Sequence, residues 1–299
     1  MEKVVVLMST YNGSEFLVEQ LESLCAQEGV FVDIIVRDDG SLDGTKNILT
    51  DWQSRGLLKW YTGENMGPAA SFMDLLYNSP EADYYAFCDQ DDVWFPDKLC
   101  RAIKQLRERN DFLSLYFSAQ TLIDIDKNII GYNNPQRLFT FGESLLRNPA
   151  AGCTMVLNKG LRDLMIRERP SYVYMHDMWV YMVCLAVGGS VVYDSRPSMF
   201  YRQHPNNVLG YRRGFFQKLY RRFRMFIQGK DSPRLKTCCQ LLECYSKDIT
   251  VRNLYVLNCI KEYRKSIRNK FRLLHCNEIK TTSIYAKIAL FIAVLSNRY

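Results

Sequence analysis

Within its first hundred residues the chain alternates short apolar runs with helical patterns, and the runs break off into polar clusters. Residues 4–8 form a β-branched-rich run that leads into Ser9-Thr10-Tyr11-Asn12-Gly13, after which Phe16, Leu17, Leu21, Leu24 and Cys25 fall at helical spacing. A second apolar run, 31–36, ends in Asp38-Asp39-Gly40-Ser41, with a helix expected over about 45–52. Residues 57–61, a helical stretch near 69–77, and the run 84–88 repeat the scheme. Strands apolar on both faces and separated by helices are the mark of βαβ units in a mainly parallel sheet.

The run 84–88 ends in Asp89-Gln90-Asp91-Asp92, and Pro96 then opens a helix carrying Leu99, Ile103 and Leu106. In an open α/β sheet ligands bind beyond the carboxyl ends of the strands. Thr10-Tyr11, Asp38-Asp39 and the carboxylates of residues 89–92 are therefore predicted to converge. Beyond residue 110 the pattern loosens into longer strands at 113–123, 153–157 and 190–193, with helices near 159–167 and 178–187. From residue 211 the remainder reads as helix.

At 299 residues, with 47% apolar and 24% charged residues, the composition excludes disorder and collagen-like repeats. The net charge of +7 is an average of two unlike parts. Residues 1–210 hold 19 Lys and Arg against 27 Asp and Glu, whereas residues 211–299 hold 20 against 5. An acidic body thus carries a basic tail, which seeks an anionic surface, either nucleic acid or bilayer. The 10 cysteines include no Cys-x-x-Cys pair and the 3 histidines are scattered, so no structural zinc site is expected. The first apolar run is too short for a secretory signal, which makes the reducing cytosol the expected compartment.

Three carboxylates within residues 89–92 repel one another unless a positive group sits among them. A divalent cation with hard oxygen ligands, Mg²⁺ or Mn²⁺, answers that need and leaves positions open for phosphates. The alternative is that one aspartate, Asp92 in first place, caps the following helix while the others are solvated. Asp38-Asp39-Gly40-Ser41 taken alone is a turn with a helix cap, and Asp177 could equally be an N-cap.

Ser9-Thr10-Tyr11-Asn12-Gly13, the stretch Asp38-Asp39-Gly40-Ser41-Leu42-Asp43-Gly44-Thr45, Asn65-Met66-Gly67, and Cys88-Asp89-Gln90-Asp91-Asp92-Val93-Trp94-Phe95-Pro96-Asp97-Lys98-Leu99 resemble the motifs of family 2 inverting glycosyltransferases of the GT-A fold. The likeness continues through Gly152-Cys153-Thr154-Met155, His176-Asp177-Met178-Trp179 and the segment from Tyr201-Arg202-Gln203-His204 to Gly210, all in order. Within that family it is similar to the bacterial rhamnosyltransferase-like branch, which builds surface polysaccharides from dTDP-L-rhamnose. The resemblance implies an α/β GT-A catalytic domain over residues 1–210 and a basic helical region over 211–299.

Carried over residue by residue, the resemblance puts Thr10, Tyr11, Asn12, Asp38, Asp39 and Asn65 at the nucleotide, with Asp89 on the ribose. Asp91 and His204 would hold Mg²⁺ or Mn²⁺ against the diphosphate. Asp177 would be the catalytic base, at the place of the second residue of a Glu-Asp pair whose first position is here His176. Gly152, Cys153, His176, Trp179 and Arg202 fall on the diphosphate or acceptor side. The implied partners are a nucleotide-sugar donor and a lipid-linked or oligosaccharide acceptor.

In the tail, residues 215–228 plotted at 100° per residue gather Phe215, Phe216, Leu219, Tyr220, Phe223, Phe226 and Ile227 on one arc, with Lys218, Arg221, Arg222 and Arg224 outside it. That separation suits an anionic membrane surface better than nucleic acid; the alternative is that the aromatic arc packs on the body. The apolar run 288–295 is too short to span a bilayer and reads as a docking, dimerisation or membrane-surface helix. Two other functions remain open at this level. A sugar-nucleotidyltransferase would show a Gly-rich, basic loop after the first strand, which Ser9-Thr10-Tyr11-Asn12-Gly13 does not offer, and a nucleic-acid-binding protein would use the tail alone.

Overall fold

The computed structural model describes residues 1–135, 137–204, 233–279 and 284–297. The chain runs β1 (Lys3–Thr10), α1 (Leu17–Cys25), β2 (Phe31–Asp38), α2 (Thr45–Ser54), β3 (Lys59–Thr62), α3 (Pro68–Tyr77), β4 (Tyr84–Cys88), β5 (Val93–Trp94) and α4 (Lys98–Arg109). It continues through β6 (Ser114–Ser118), β7 (Gln120–Ile123), β8 (Ile129–Asn133), α5 (Phe141–Ser144), β9 (Val156–Asn158), α6 (Lys159–Ile166), α7 (His176–Ala186), β10 (Ser190–Asp194) and β11 (Met199–Arg202). Four further helices follow: α8 (Pro233–Tyr245), α9 (Val251–Glu262), α10 (Ile267–Leu274) and α11 (Ile284–Leu295).

The main sheet has seven strands in the order β10-β6-β9-β4-β1-β2-β3. All its pairings are parallel except those of β9, which runs antiparallel to both β4 and β6. Strand β1 fixes this arrangement because Val4, Val5, Val6, Leu7 and Met8 are all fully buried. Val5 and Leu7 enter one core with Phe72, Phe87 and Trp179, while Val4, Val6 and Met8 enter a second with Leu17, Leu99 and Ile103. A strand with two apolar faces needs cover on both, and the helices on either side supply it. Removing one such side chain, as in Leu7→Ala, costs about 3 kcal/mol.

A smaller sheet, β5-β11-β7-β8, lies beside the ends of the strands. Here the structure departs from the single strand expected over 113–123. Ala119 interrupts it: its N–H bonds Asp194 O at 2.9 Å and its carbonyl accepts from Ser198 N–H at 3.3 Å, so the chain leaves the main sheet and β7 joins β11. Cys153, expected in a strand, belongs to a short 3-10 turn, Gly152–Thr154, and the strand begins only at Val156.

The region after residue 211, expected to be helical, is divided into separate helices in its described part. Thr250 and Ser266 each leave the helical conformation and accept from the N–H of Asn253 and Asn269, starting α9 and α10 as new helices. Buried residues from all four of these helices, among them Leu241, Leu257, Leu273 and Val294, share the core that contains Val5 and Phe87. The basic-aromatic segment 215–228 lies outside the described residues. No described helix is long and apolar enough to cross a membrane.

Candidate active site

The carboxyl ends of β1, β2 and β4 meet as expected for a parallel sheet. The Tyr11 N–H donates to Gln90 Oε1 at 2.8 Å, and Gln90 Nε2 returns a bond to Tyr11 O at 3.1 Å. A Cβ on Gly13 would stand 2.1 Å from Gln90 Oε1, so glycine is what lets the two loops close. Asn12, at φ 48°, spans to the second loop: its N–H donates to Ser41 Oγ and its Oδ1 accepts from Leu42 N–H.

Asp38 and Asp39 occupy different places. Asp38 is fully buried and accepts from Thr10 Oγ1, Thr62 Oγ1 and the N–H groups of Gly40 and Ser41, so its carboxylate shapes the turn instead of facing a ligand. Asp39 is gripped by the Arg37 guanidinium and by the N–H groups of Met66 (3.1 Å) and Gly67 (2.9 Å), which draws the loop carrying exposed Asn65 over the strand tips. Arg37 also bonds Asp74, Ser71 Oγ and Glu64 O, all from a position only 2% exposed. Tyr11, 46% exposed, and Asn65 remain open to solvent on these loops.

The acidic turn after β4 divides in the same way. Asp92 is fully buried; one carboxylate oxygen accepts from Arg202 N–H at 3.2 Å, and the other has no hydrogen-bond partner. It is not the cap of α4, whose N-cap is Asp97. Burial and the neighbouring Asp91 and Asp89 carboxylates push Asp92 well above the usual range. Burial likewise raises Asp89, with Asp91 and Asp177 adding to the effect and its bond to Cys153 opposing it. Asp91 Oδ2 lies 2.7 Å from His204 Nε2, and the His204 ring packs 5.1 Å from Phe16.

Lys98, wholly buried, provides the fixed positive charge beneath this turn. Its ammonium donates to Cys153 O at 2.6 Å and sits 4.1 Å from the Trp94 ring centroid. Burial pulls it down to about 8, while nearby Cys153, Cys88 and Asp92 pull the other way. Arg202 departs from the place expected beside a diphosphate. It is 1% exposed, bonds Glu19 at 2.7 Å and Asp91 O at 3.0 Å, and lies over the Phe16 ring, so it clamps β11 to the acidic turn.

Asp177 stands in the first turn of α7, which starts at His176 with Met175 as N-cap, so Asp177 is not the cap itself. Its carboxylate accepts from Met178 N–H at 2.6 Å, and the nearby Gly152 N–H and Asn148 amide also favour its charged form. Burial nevertheless pushes it up to about 6. His176 is packed between Phe72 and Phe87, with ring centroids at 4.1 and 5.0 Å, and burial holds it neutral at about 3. A Cβ on Gly152 would clash with His176 Nε2, so the glycine lets the turn rest on the imidazole. Trp179, expected on the acceptor side, is instead a core residue at 1% exposure against Tyr245.

These donors fit a divalent cation. Asp89, Asp92 and Cys153 bring their ligand atoms within 4.8 Å of one another. Cys153 is a poor ligand for a hard ion, because burial holds its thiol far above the ordinary range. Asp91 and His204 are the more open pair; the Asp91 carboxylate is an oxygen donor that suits Mg²⁺ or Mn²⁺, while the His204 imidazole favours a transition metal, Mn²⁺ over Mg²⁺. Pattern reading missed Arg37, Gln90 and Lys98 as builders of the site. A charged Arg37 terminating an apolar strand was a signal for the first.

A mainly parallel GT-A sheet with an acidic turn beyond its strand ends defines a nucleotide-sugar-dependent glycosyltransferase. The sequence profile described as glycosyl transferase family 2 matches residues 5–161, more than half of the chain, and the chain belongs to that family. It is 29% identical over 221 residues to "dTDP-rhamnosyl transferase RfbG" of Shigella flexneri, covering 68% of this chain and 73% of that protein. It is 24% identical over 258 residues to "UDP-Glc:alpha-D-GlcNAc-diphosphoundecaprenol beta-1,3-glucosyltransferase WfgD" of Escherichia coli, covering 86% and 92%. Among solved structures, S. aureus TarS 1-349 in complex with UDP-GlcNAc shares the fold at TM-score 0.58 and 16% identity, covering 99% of this chain and 80% of that one.

Proposed function

We propose that this glycosyltransferase moves L-rhamnose from dTDP-L-rhamnose to a lipid-linked glycan, with inversion, at the cytoplasmic membrane face during synthesis of a bacterial surface polysaccharide. The observation that carries the reading is the placement of Asp177. Its carboxylate is close enough to Asp89 to help raise that group, and burial poises Asp177 itself at about 6. Likeness to the rhamnosyltransferase RfbG supports the donor, and the name of WfgD supports a diphosphoundecaprenol-linked acceptor.

In this reading Tyr11 and Asn65 line the base pocket, with buried Thr10 and Asp38 bracing the turn behind it and Asp39 holding the loop that closes it, and Asp89 receives the ribose. Asp91 and His204 would hold Mg²⁺ or Mn²⁺, which supplies charge neutralisation for the departing diphosphate. Asp177 takes the proton from the acceptor hydroxyl as its oxygen attacks the anomeric carbon. The C1–O bond to the diphosphate breaks on the opposite side, so the configuration inverts without a covalent intermediate. The Met178 N–H holds the Asp177 carboxylate, and with the nearby Gly152 N–H it favours the ionised form. Residues 1–210 form the catalytic domain and 211–299 the basic region that meets an anionic bilayer.

A second reading keeps the mechanism and takes a UDP-hexose, favoured by the longer match to WfgD. Incubation with dTDP-L-rhamnose, UDP-Glc and UDP-GlcNAc, each with Mn²⁺ and a diphospholipid-linked sugar, separates the two. Release of dTDP coupled to sugar transfer supports the first, and UDP release alone supports the second.

A further inference from the structure

Helix α11 is apolar on two opposite faces. Leu290, Ala293 and Val294 are buried in the core, whereas Ile288, Phe291 and Ile292 are about half exposed and Leu295 is 38% exposed. At 100° per residue these four fall within an arc of about 100°. Helix α10 repeats the arrangement: Leu273 is buried while Ile267 and Phe271, one turn apart, are 61% and 50% exposed. Lys270 Nζ donates to Leu295 O at 2.9 Å and ties the two helices together. Lys265, Arg268, Arg272 and Lys287 are exposed around these stripes, and residues 261–299 carry nine Lys and Arg against two Glu.

We infer that the exposed faces of α10 and α11 form a docking surface for an anionic lipid bilayer. This rests on the proposed membrane reading and gives it a location in the described fold, apart from residues 215–228. At 12 residues α11 is about 18 Å long, too short to span, so it lies in the interface plane with Phe291 and Ile292 among the acyl chains. The charges decide against a second copy of this chain. A twofold pairing brings the same patch against itself and would set this basic rim against its own copy, whereas anionic headgroups compensate it.

The full chain with Phe291→Trp or Phe271→Trp tests the inference on vesicles of phosphatidylcholine with and without one-third phosphatidylglycerol. Bromine-labelled acyl chains should quench each added indole beyond the wild-type signal, in the anionic vesicles only. The combined Ile288→Ser, Phe291→Ser and Ile292→Ser variant should partition about tenfold less, with unchanged transfer to a soluble acceptor. Vesicle binding without quenching of either indole overturns this surface and leaves the membrane reading standing. Absence of vesicle binding overturns both, while glycosyl transfer is judged by its own assay. A wild-type dimer that the serine variant converts to monomer in sedimentation velocity makes the face a protein interface and also overturns the inference.

Discussion

His204 Nε2 lies 2.7 Å from Asp91 Oδ2, a contact that joins residues 113 apart in sequence and closes the segment after β11 onto the acidic turn after β4. On the proposed reading these two side chains are the cation-binding pair, and their contact makes them interdependent. His204→Ala should weaken Mn²⁺ binding about 10-fold to 100-fold in calorimetry, and Asp91→Ala should weaken it further. Transfer should stop on chelation and return with added Mn²⁺ or Mg²⁺. Equal Mn²⁺ affinity in all three proteins would place the metal elsewhere.

Asp177 predicts a pH profile. A general base works in its ionised form, so with a folded value of about 6 the rate falls as pH drops below 6 and levels off above it. The log of kcat/KM should decline by about one unit per pH unit on the acid limb. Asp177→Asn should lower kcat by about 10²-fold to 10⁴-fold while calorimetry shows donor binding retained. Near-normal turnover of this variant would remove Asp177 from the reaction.

Lys98 supports the acidic turn from beneath. Lys98→Met fills a similar volume yet leaves Cys153 O without its 2.6 Å donor and takes a positive charge from beside Asp92. The expected cost is about 2 kcal/mol of stability by urea unfolding. An unchanged midpoint would mean that the carbonyl finds another donor.

Gly152→Ala puts a methyl group against the His176 imidazole, which Phe72 and Phe87 prevent from moving. Stability should fall by about 1–3 kcal/mol. Because the turn lies beside Asp177 and favours its ionised form, kcat should fall with it, and His176→Ala should recover part of both losses in the double variant. Wild-type kcat in Gly152→Ala would separate this turn from the base.

The parallel sheet was legible because residues 4–8 and 84–88 are apolar on every position and end in polar clusters. The meeting of Tyr11 with Gln90 follows from that topology. Side-chain direction was not legible. Asp38 and Asp39 are adjacent, and only backbone geometry turns one into the fold and the other toward the 64–67 loop. Likewise Trp179 lies two positions after Asp177, so the helical turn rotates it into the core, and Arg202 is drawn to Glu19, a partner 183 residues away.

Inverting transfer of L-rhamnose from dTDP-L-rhamnose to a lipid-linked glycan, as proposed, leaves its record in the anomeric configuration of the product. The direct measurement is NMR of the product formed from dTDP-β-L-rhamnose, a diphospholipid-linked acceptor and Mn²⁺. One new glycosidic bond of α configuration should form in step with dTDP release. A β product would contradict single-step displacement, and transfer from UDP-hexoses alone would contradict the donor.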